Sequence, residues 1–370
     1  MNRKILAMAS TTYQLIVFLF LKQAFLTEDI VDLVVTDKTA LLEKLYLNGR
    51  LTPLFHEVYF ADARKIKNPY KSGLQNLFES FIYNRTTNKI LSAPLDTYDE
   101  VFYACPENPD EIIKELSKTL IKRNHHILFH RYEDGFASYT RFSGHIITSK
   151  TGVKLYDKFL GFHQEVQEDD LYLFEPELAS PNINWNIVKI PNRNEQVLTM
   201  IRSIFEYNPE PFPEKFVFLG QGTSNGIDNA ETYRSLVNYM IEEIGTDNLL
   251  LKRHPRGVYD VYSENVHTLD TDCPWEVFEL NGSMDEKVLI SYYSTACITG
   301  KILFNSKSKV IFLYPLAEDS FSEEINFEFY FEVAARKYPG IYIARSKEEL
   351  SYLIKKLSGK LESEQVNIQV

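Results

Sequence analysis

Cysteine is too scarce in this chain to hold it together. Three cysteines in 370 residues, Cys105, Cys273 and Cys297, are odd in number and widely spaced. That excludes a disulfide scaffold and the paired spacings of a zinc site, and it fits buried thiols in a reducing compartment. Basic charge is also short: 40 Lys and Arg against 51 Asp and Glu leave a formal net charge of −11. A nucleic-acid binder needs the opposite balance, although a few local cations suffice for a nucleotide sugar. Long apolar runs are missing too. The run 15–21 follows the polar Thr11, Thr12 and Gln14 and stops at Lys22 and Gln23, too short to span a bilayer and wrongly built for a signal peptide. A strand, a short loop and a buried helix explain this start better, so a cytoplasmic chain is expected. There is no internal repeat and no low-complexity tract. Neither a G-x-G-x-x-G fingerprint nor a Walker loop is present, so neither a dinucleotide nor ATP is indicated.

What is present is ample apolar material: 44% hydrophobic and 14% aromatic residues, enough for packed interiors. The length suits two domains. Short Val-, Ile- and Leu-rich runs at 5–8, 31–36, 58–60, 101–104 and 127–129 alternate with helical patterns such as 13–26 and 109–123. The pattern restarts with runs at 216–219, 249–251, 288–290, 310–313 and 341–344, and with helices at 230–244, 275–280 and 347–357. Strands without polar alternation read as parallel sheets covered on both faces. Between the two series lie a helix at 196–207 and the prolines Pro209, Pro211 and Pro213, a plausible hinge. The expected division is residues 1–190, a linker at 191–213, and residues 214–370.

Three segments carry the chemistry. Glu133-Asp134-Gly135 follows an apolar run; a carboxylate there suits a general base, and a solvated acidic turn is the plain alternative. Lys252-Arg253-His254-Pro255 ends another run. An imidazole between cations suits a departing phosphate; the alternative is a basic surface loop. Ser294-Thr295 leads from a strand into a helix, where hydroxyls and backbone N–H groups suit an anion, or where the pair simply caps the helix. Two segments fit around these. Gly220-Gln221-Gly222-Thr223 would let a nucleotide approach the backbone closely. Glu276, after Pro274, would accept hydrogen bonds from ribose hydroxyls or complement a helix N-terminus. Asp169-Asp170 and Asp270-Thr-Asp272 read as solvated loop acids, His130 reads as strand-end polar structure, and the histidines lack metal-ligand spacing.

The order of these motifs, D/E-D/E-G, then His-Pro, then a Ser-Ser/Thr pair, resembles the bacterial sialyltransferases of glycosyltransferase family 52. More distantly it resembles the bacterial polysialyltransferases. The resemblance covers most of the chain by architecture and rests on about ten specific residues, Pro274-x-Glu276 between the last two motifs included. It implies a GT-B fold, α/β with two Rossmann-like doubly wound domains facing a central cleft. It implies an inverting transfer of sialic acid from CMP-sialic acid to a hydroxyl of a galactose-terminated glycan of capsule or lipooligosaccharide. Glu133 would be the base, His254 the acid or phosphate partner, Glu276 the ribose partner, and Ser294 and Thr295 the phosphate holders. Lys252, Arg253 and Pro255 would complete the donor side, with Gly220, Gln221, Gly222 and Thr223; Thr11, Thr12 and Gln14 would lie on the acceptor side. Many related enzymes have aspartate where this chain has Glu133, so the choice between Glu133 and Asp134 stays open.

No metal and no cofactor are expected, because CMP leaves without a metal-bound pyrophosphate. The family includes dimers, so a homodimer is one expected state. Glycolipid acceptors would bring the enzyme to the inner membrane face. The rival expectations are a related transferase that uses another nucleotide sugar, and a non-catalytic glycan- or nucleotide-binding protein on the same fold. A third is membrane attachment through the C-terminal helix, whose apolar residues at 350, 353, 354 and 357 more naturally dock on the protein itself.

Overall fold

A computed structural model describes residues 2–62, 90–104, 111–140, 168–183, 185–220, 228–254, 266–269, 271–282, 284–316 and 327–360. The chain divides into two compact units, Met1–Glu206 and Tyr207–Val370.

The first unit is built on a seven-stranded sheet: β1 (Lys4–Ala9), β2 (Ile30–Thr36), β3 (Val58–Ala61), β4 (Glu100–Ala104), β5 (Leu128–Tyr132), β6 (Glu168–Leu173) and β7 (Asn186–Lys189). Their order in space is β3-β2-β1-β4-β5-β6-β7, and the pairings between neighbours are parallel. The order reverses between β1 and β4, the point at which doubly wound sheets bind ligands beyond their strand ends. Helices α1 (Thr12–Phe25), α2 (Ala40–Leu47), α3 (Glu111–Arg123) and α4 (Glu195–Phe205) belong to this unit.

The apolar run 15–21 lies in α1 and is buried on every side. Phe18 packs on Phe55, Phe102 and Tyr132, Phe20 meets Phe174 edge-on, and α4 lies against the helix. A helix apolar all round belongs in a core when it is this short. Among the described residues no helix is long and apolar enough to cross a membrane. The segment 191–213 is divided: α4 packs in the first unit, and the break between units falls between Glu206 and Tyr207.

The second unit repeats the plan with six strands: β8 (Phe216–Leu219), β9 (Leu249–Lys252), β10 (Thr268–Leu269), β11 (Val288–Ser291), β12 (Lys309–Phe312) and β13 (Ile341–Ile343). Their order is β10-β9-β8-β11-β12-β13, again with parallel pairings, and it reverses between β8 and β11. The helices here are α5 (Asp228–Ile244), α6 (Trp275–Asn281), α7 (Ala296–Phe304), α8 (Phe327–Lys337) and α9 (Lys347–Ser358). Leu350, Leu353 and Ile354 of α9 are buried in one cluster with Ile290, Ile311 and Ala344, and Leu357 packs against it. The apolar face of the C-terminal helix is therefore taken up by its own unit.

Two expectations need correction. Asp169 and Asp170 are not loop acids: they lie in β6, whose register against β5 shifts opposite His130. His130 is not at a strand end but inside β5 and buried, its Nε2 3.3 Å from Glu100 Oε2 and its Nδ1 3.6 Å from Asp170 Oδ2. Polar residues interrupt the apolar pattern there, which hid the strand from a reading based on hydrophobicity.

Candidate functional site

In the first unit, Glu133 directly follows β5. Its backbone N–H donates to Tyr172 O at 3.0 Å, which extends the β5–β6 ladder by one residue. The Tyr132 hydroxyl donates to Met8 O at 2.6 Å, reaching past β4 to β1 and pinning the strand end. Gly135 takes φ +77°, which a side chain would oppose, and turns the chain into the short 3-10 helix Phe136–Tyr139. Inside this turn the Asp134 N–H donates to Ser138 Oγ at 2.6 Å.

The turn folds back on Glu133. Its Oε1 accepts from the Tyr13 hydroxyl at 2.6 Å, and its Oε2 accepts from the Tyr139 hydroxyl and from the Phe174 N–H at 3.0 Å. Glu133 is only 2% exposed. Burial pushes its carboxyl up to about 7, against the pull of those three donors, and Glu175 adds to the push. An acid with that proton affinity exchanges protons readily near neutral pH. Asp134 beside it is half-buried.

Of the acceptor-side candidates, Thr11 and Gln14 form a capping box at the start of α1. The Gln14 N–H donates to Thr11 Oγ1 at 3.2 Å, while Gln14 Oε1 accepts from the N–H groups of Ser10 and Thr11 at 2.6 and 3.3 Å. Both side chains are thus engaged in starting the helix, and Thr12 is half-buried within its first turn. The residue next to them, Tyr13, is the one that reaches Glu133. Sequence reasoning passed over it because an aromatic residue heading an apolar helix reads as core.

In the second unit the candidates gather at the carboxyl ends of β8, β9 and β11. Gly220 directly follows β8, its N–H donating to Lys252 O at 2.9 Å. Gln221, Gly222, Thr223 and Pro255 lie outside the described residues. Lys252 is buried at the end of β9, and its ammonium donates to the carbonyls of Arg253 and Thr271 at 3.2 and 3.4 Å. Those bonds tie the loop after β10 to the end of β9, so Lys252 organises this corner. Arg253 is exposed and His254 half-buried just beyond it.

Glu276, in the first turn of α6, is buried. Burial raises its carboxyl, while its own N–H, the Thr299 hydroxyl of α7 and the Lys252 charge pull the other way. Ser294 and Thr295 stand half-buried between β11 and α7. Thr295 occupies the N-cap position with no side-chain capping bond, so the cap alternative is not what its hydroxyl does. The loop is held from below by Ser291, which donates to Leu219 O at 2.8 Å and accepts from the Ser294 N–H at 3.3 Å. Sequence reasoning missed this serine as well, since it lies inside the strand run.

Among the described residues there is no cluster of three or more His, Cys, Asp or Glu able to hold a metal ion. Burial pushes the Cys273 thiol up to about 12, with Glu276 adding to it, and Cys297 is fully buried. Neither is an activated nucleophile.

No protein-family model and no curated protein matches the sequence. Solved structures do. The UDP-GlcNAc 2-epimerase of Methanocaldococcus jannaschii aligns over 98% of this chain and 93% of its own, with a TM-score of 0.53 and 12% identity. The UDP-GlcNAc 2-epimerase from Neisseria meningitidis aligns over 96% and 91%, with a TM-score of 0.51 and 13% identity. An alpha/beta-galactoside alpha-2,3-sialyltransferase from Photobacterium phosphoreum aligns over 93% and 99%, with a TM-score of 0.44 and 14% identity. At such identities the likeness is one of fold. Two Rossmann-like parallel-sheet units in one chain, similar to the two epimerases, give the GT-B type fold.

Proposed function

We propose that the protein is an inverting sialyltransferase. It moves sialic acid from CMP-sialic acid to a hydroxyl of a terminal galactoside on a bacterial surface glycan, capsule or lipooligosaccharide. The observation that carries this is the position of all three motifs. Glu133, His254 and Ser294-Thr295 each lie just past the carboxyl end of a parallel strand, where sheets of this order bind ligands. Fold alone does not assign a reaction; these residue types at those strand ends support one.

In the proposed step the acceptor oxygen bonds to the anomeric carbon as the bond from that carbon to the CMP phosphate oxygen breaks. The acceptor's proton goes to Glu133. His254 and Arg253 meet the charge developing on CMP, and Ser294, Thr295 and the N–H groups at the start of α7 hold its phosphate. Glu276 takes the ribose. No step is assigned to a metal, and one displacement inverts the anomeric centre. Asp134 is the second candidate for the base.

The test is CMP release from CMP-sialic acid by the purified protein, with and without a panel of terminal galactosides, and mass spectrometry of the product. Acceptor-dependent release with a sialylated product is expected. Release from UDP- or GDP-sugars alone would move the donor assignment to another nucleotide, and interconversion of UDP-GlcNAc without transfer would replace transferase by epimerase. Glu133→Gln and His254→Ala should each cut transfer about 100-fold or more with the fold intact. If Asp134→Asn does so and Glu133→Gln does not, the base is Asp134.

A further inference from the structure

We infer that Tyr13 is a catalytic residue: its phenol oxygen takes the proton of the acceptor hydroxyl while its own proton passes to Glu133. The inference rests on the glycosyl-transfer reading above and supplies the route by which a sealed carboxylate can act as the base.

Glu133 is 2% exposed, so a sugar hydroxyl has little direct access to it. Three donors cover its oxygens. Two of them, the Tyr139 hydroxyl and the Phe174 N–H, belong to residues that are themselves fully buried. The third, Tyr13, is half-buried and donates at 2.6 Å to Oε1. Of the three donors, it is the one on a residue that is not fully buried. The capping box of Thr11 and Gln14 fixes the backbone on either side of it, and its place in the first turn of α1, the helix that follows β1, puts it near the strand-order reversal of the first sheet.

A phenol is a poor base alone, because its protonated form is too acidic and its anion forms only near pH 10. It works as a relay when one proton arrives as another leaves. The acceptor O–H bond breaks and an O–H bond forms at Tyr13; the Tyr13 O–H bond breaks and an O–H bond forms at Glu133 Oε1. Glu133 goes from carboxylate to carboxylic acid, and Tyr13 ends neutral. After product leaves, the same path run backwards returns the proton to water. The raised affinity of Glu133 for a proton favours the forward step near neutral pH. Tyr139 makes the same kind of bond from inside the protein and serves as the control.

The experiment is steady-state transfer from CMP-sialic acid to a galactoside by wild type, Tyr13→Phe, Tyr139→Phe, Glu133→Gln and the Tyr13→Phe/Glu133→Gln double variant, across pH 5 to 9. Circular dichroism confirms folding in each. The relay predicts that Tyr13→Phe lowers kcat about 100-fold, leaves the donor KM unchanged, and abolishes the wild-type rise in rate near pH 7. The double variant should be no slower than Glu133→Gln, because the two groups act as one unit. Tyr139→Phe removes only a buried donor, so its rate rise should move to higher pH and persist. A Tyr13→Phe enzyme that keeps its rate and pH profile, or one that behaves as Tyr139→Phe does, overturns the relay and leaves the transferase standing. A wild type that transfers from no nucleotide sugar overturns both.

Discussion

The Ser291 hydroxyl donates a 2.8 Å hydrogen bond to the Leu219 carbonyl, so the last residues of β11 and β8 are joined side chain to backbone at the point where the second sheet reverses its strand order. The same oxygen accepts from the Ser294 N–H at 3.3 Å. One buried hydroxyl thereby sets the distance between the end of β8 and the hydroxyl pair that leads into α7.

Ser291→Ala should leave a buried carbonyl and a loop N–H without that partner, at a cost of about 1–3 kcal/mol. Urea unfolding measures the loss. Because the loop loses its anchor, calorimetry should also show CMP binding weakened, whereas a stability loss with unchanged CMP affinity would separate Ser291 from the site.

Gly300→Ala in α7 should destabilise, against the helix propensity that favours Ala by about 1 kcal/mol. A Cβ at Gly300 would lie 2.2 Å from Glu279 Oε1 and 2.4 Å from Glu279 Cδ, and Glu279 is buried. Its carboxyl would have to leave its place within the interior, an effect of about 1–3 kcal/mol. In a Glu279→Ala background the same substitution should turn neutral or stabilising. Thermal melts of the four proteins of this cycle give both signs.

Stability of the first unit should fall as pH rises from about 5 to 8. Glu133 titrates at about 7 in the fold against an ordinary 4.5, so the folded chain holds an extra proton between those values, and folding weakens as that proton is lost. The full span is worth about 3 kcal/mol. Glu133→Gln has no proton to lose. The difference in unfolding free energy between wild type and variant, measured at pH 5 and pH 8, should carry this slope.

Toward the amino ends of the central strands, where Glu100 begins β4, acid should act in the other direction. Burial raises the Glu100 carboxyl, but His130 and Arg3 outweigh it and hold the group below its usual range. Its contribution is present above about pH 4.5 and is lost as pH falls through the lowered value. His130→Ala, which removes a buried ring from between Glu100 and the half-buried Asp170, should cost about 2–5 kcal/mol at pH 7. That cost should shrink as the carboxyls protonate. Urea titrations at pH 7 and pH 4 compare the two.

The two α/β units, and most of their strands, were legible in the sequence, because a central parallel strand must be apolar on both faces and so appears as an unbroken run. The strands that escaped notice are those where the rule lapses: β6 carries Asp169 and Asp170, β10 is two residues long, and β7 lies at the sheet edge. The buried α1 was legible for the same reason as the strands.

The strand-end motifs follow from local order alone: an apolar run stops, and polar residues mark where the chain leaves the sheet. The sequence by itself determined where Glu133, His254 and Ser294-Thr295 would stand along the chain. Only the tertiary structure decided how each is held. Tyr13 reaches Glu133 across 120 positions, the Ser291 hydroxyl meets Leu219 across 72, and Lys252 meets Thr271 across 19. A hydrogen bond depends on where a side chain ends in space, and residues on different strands leave no period or spacing that records it. The proton affinity of Glu133 is of the same kind. It comes from the loss of water around one carboxyl, which is a property of everything packed over it and not of the residues written beside it.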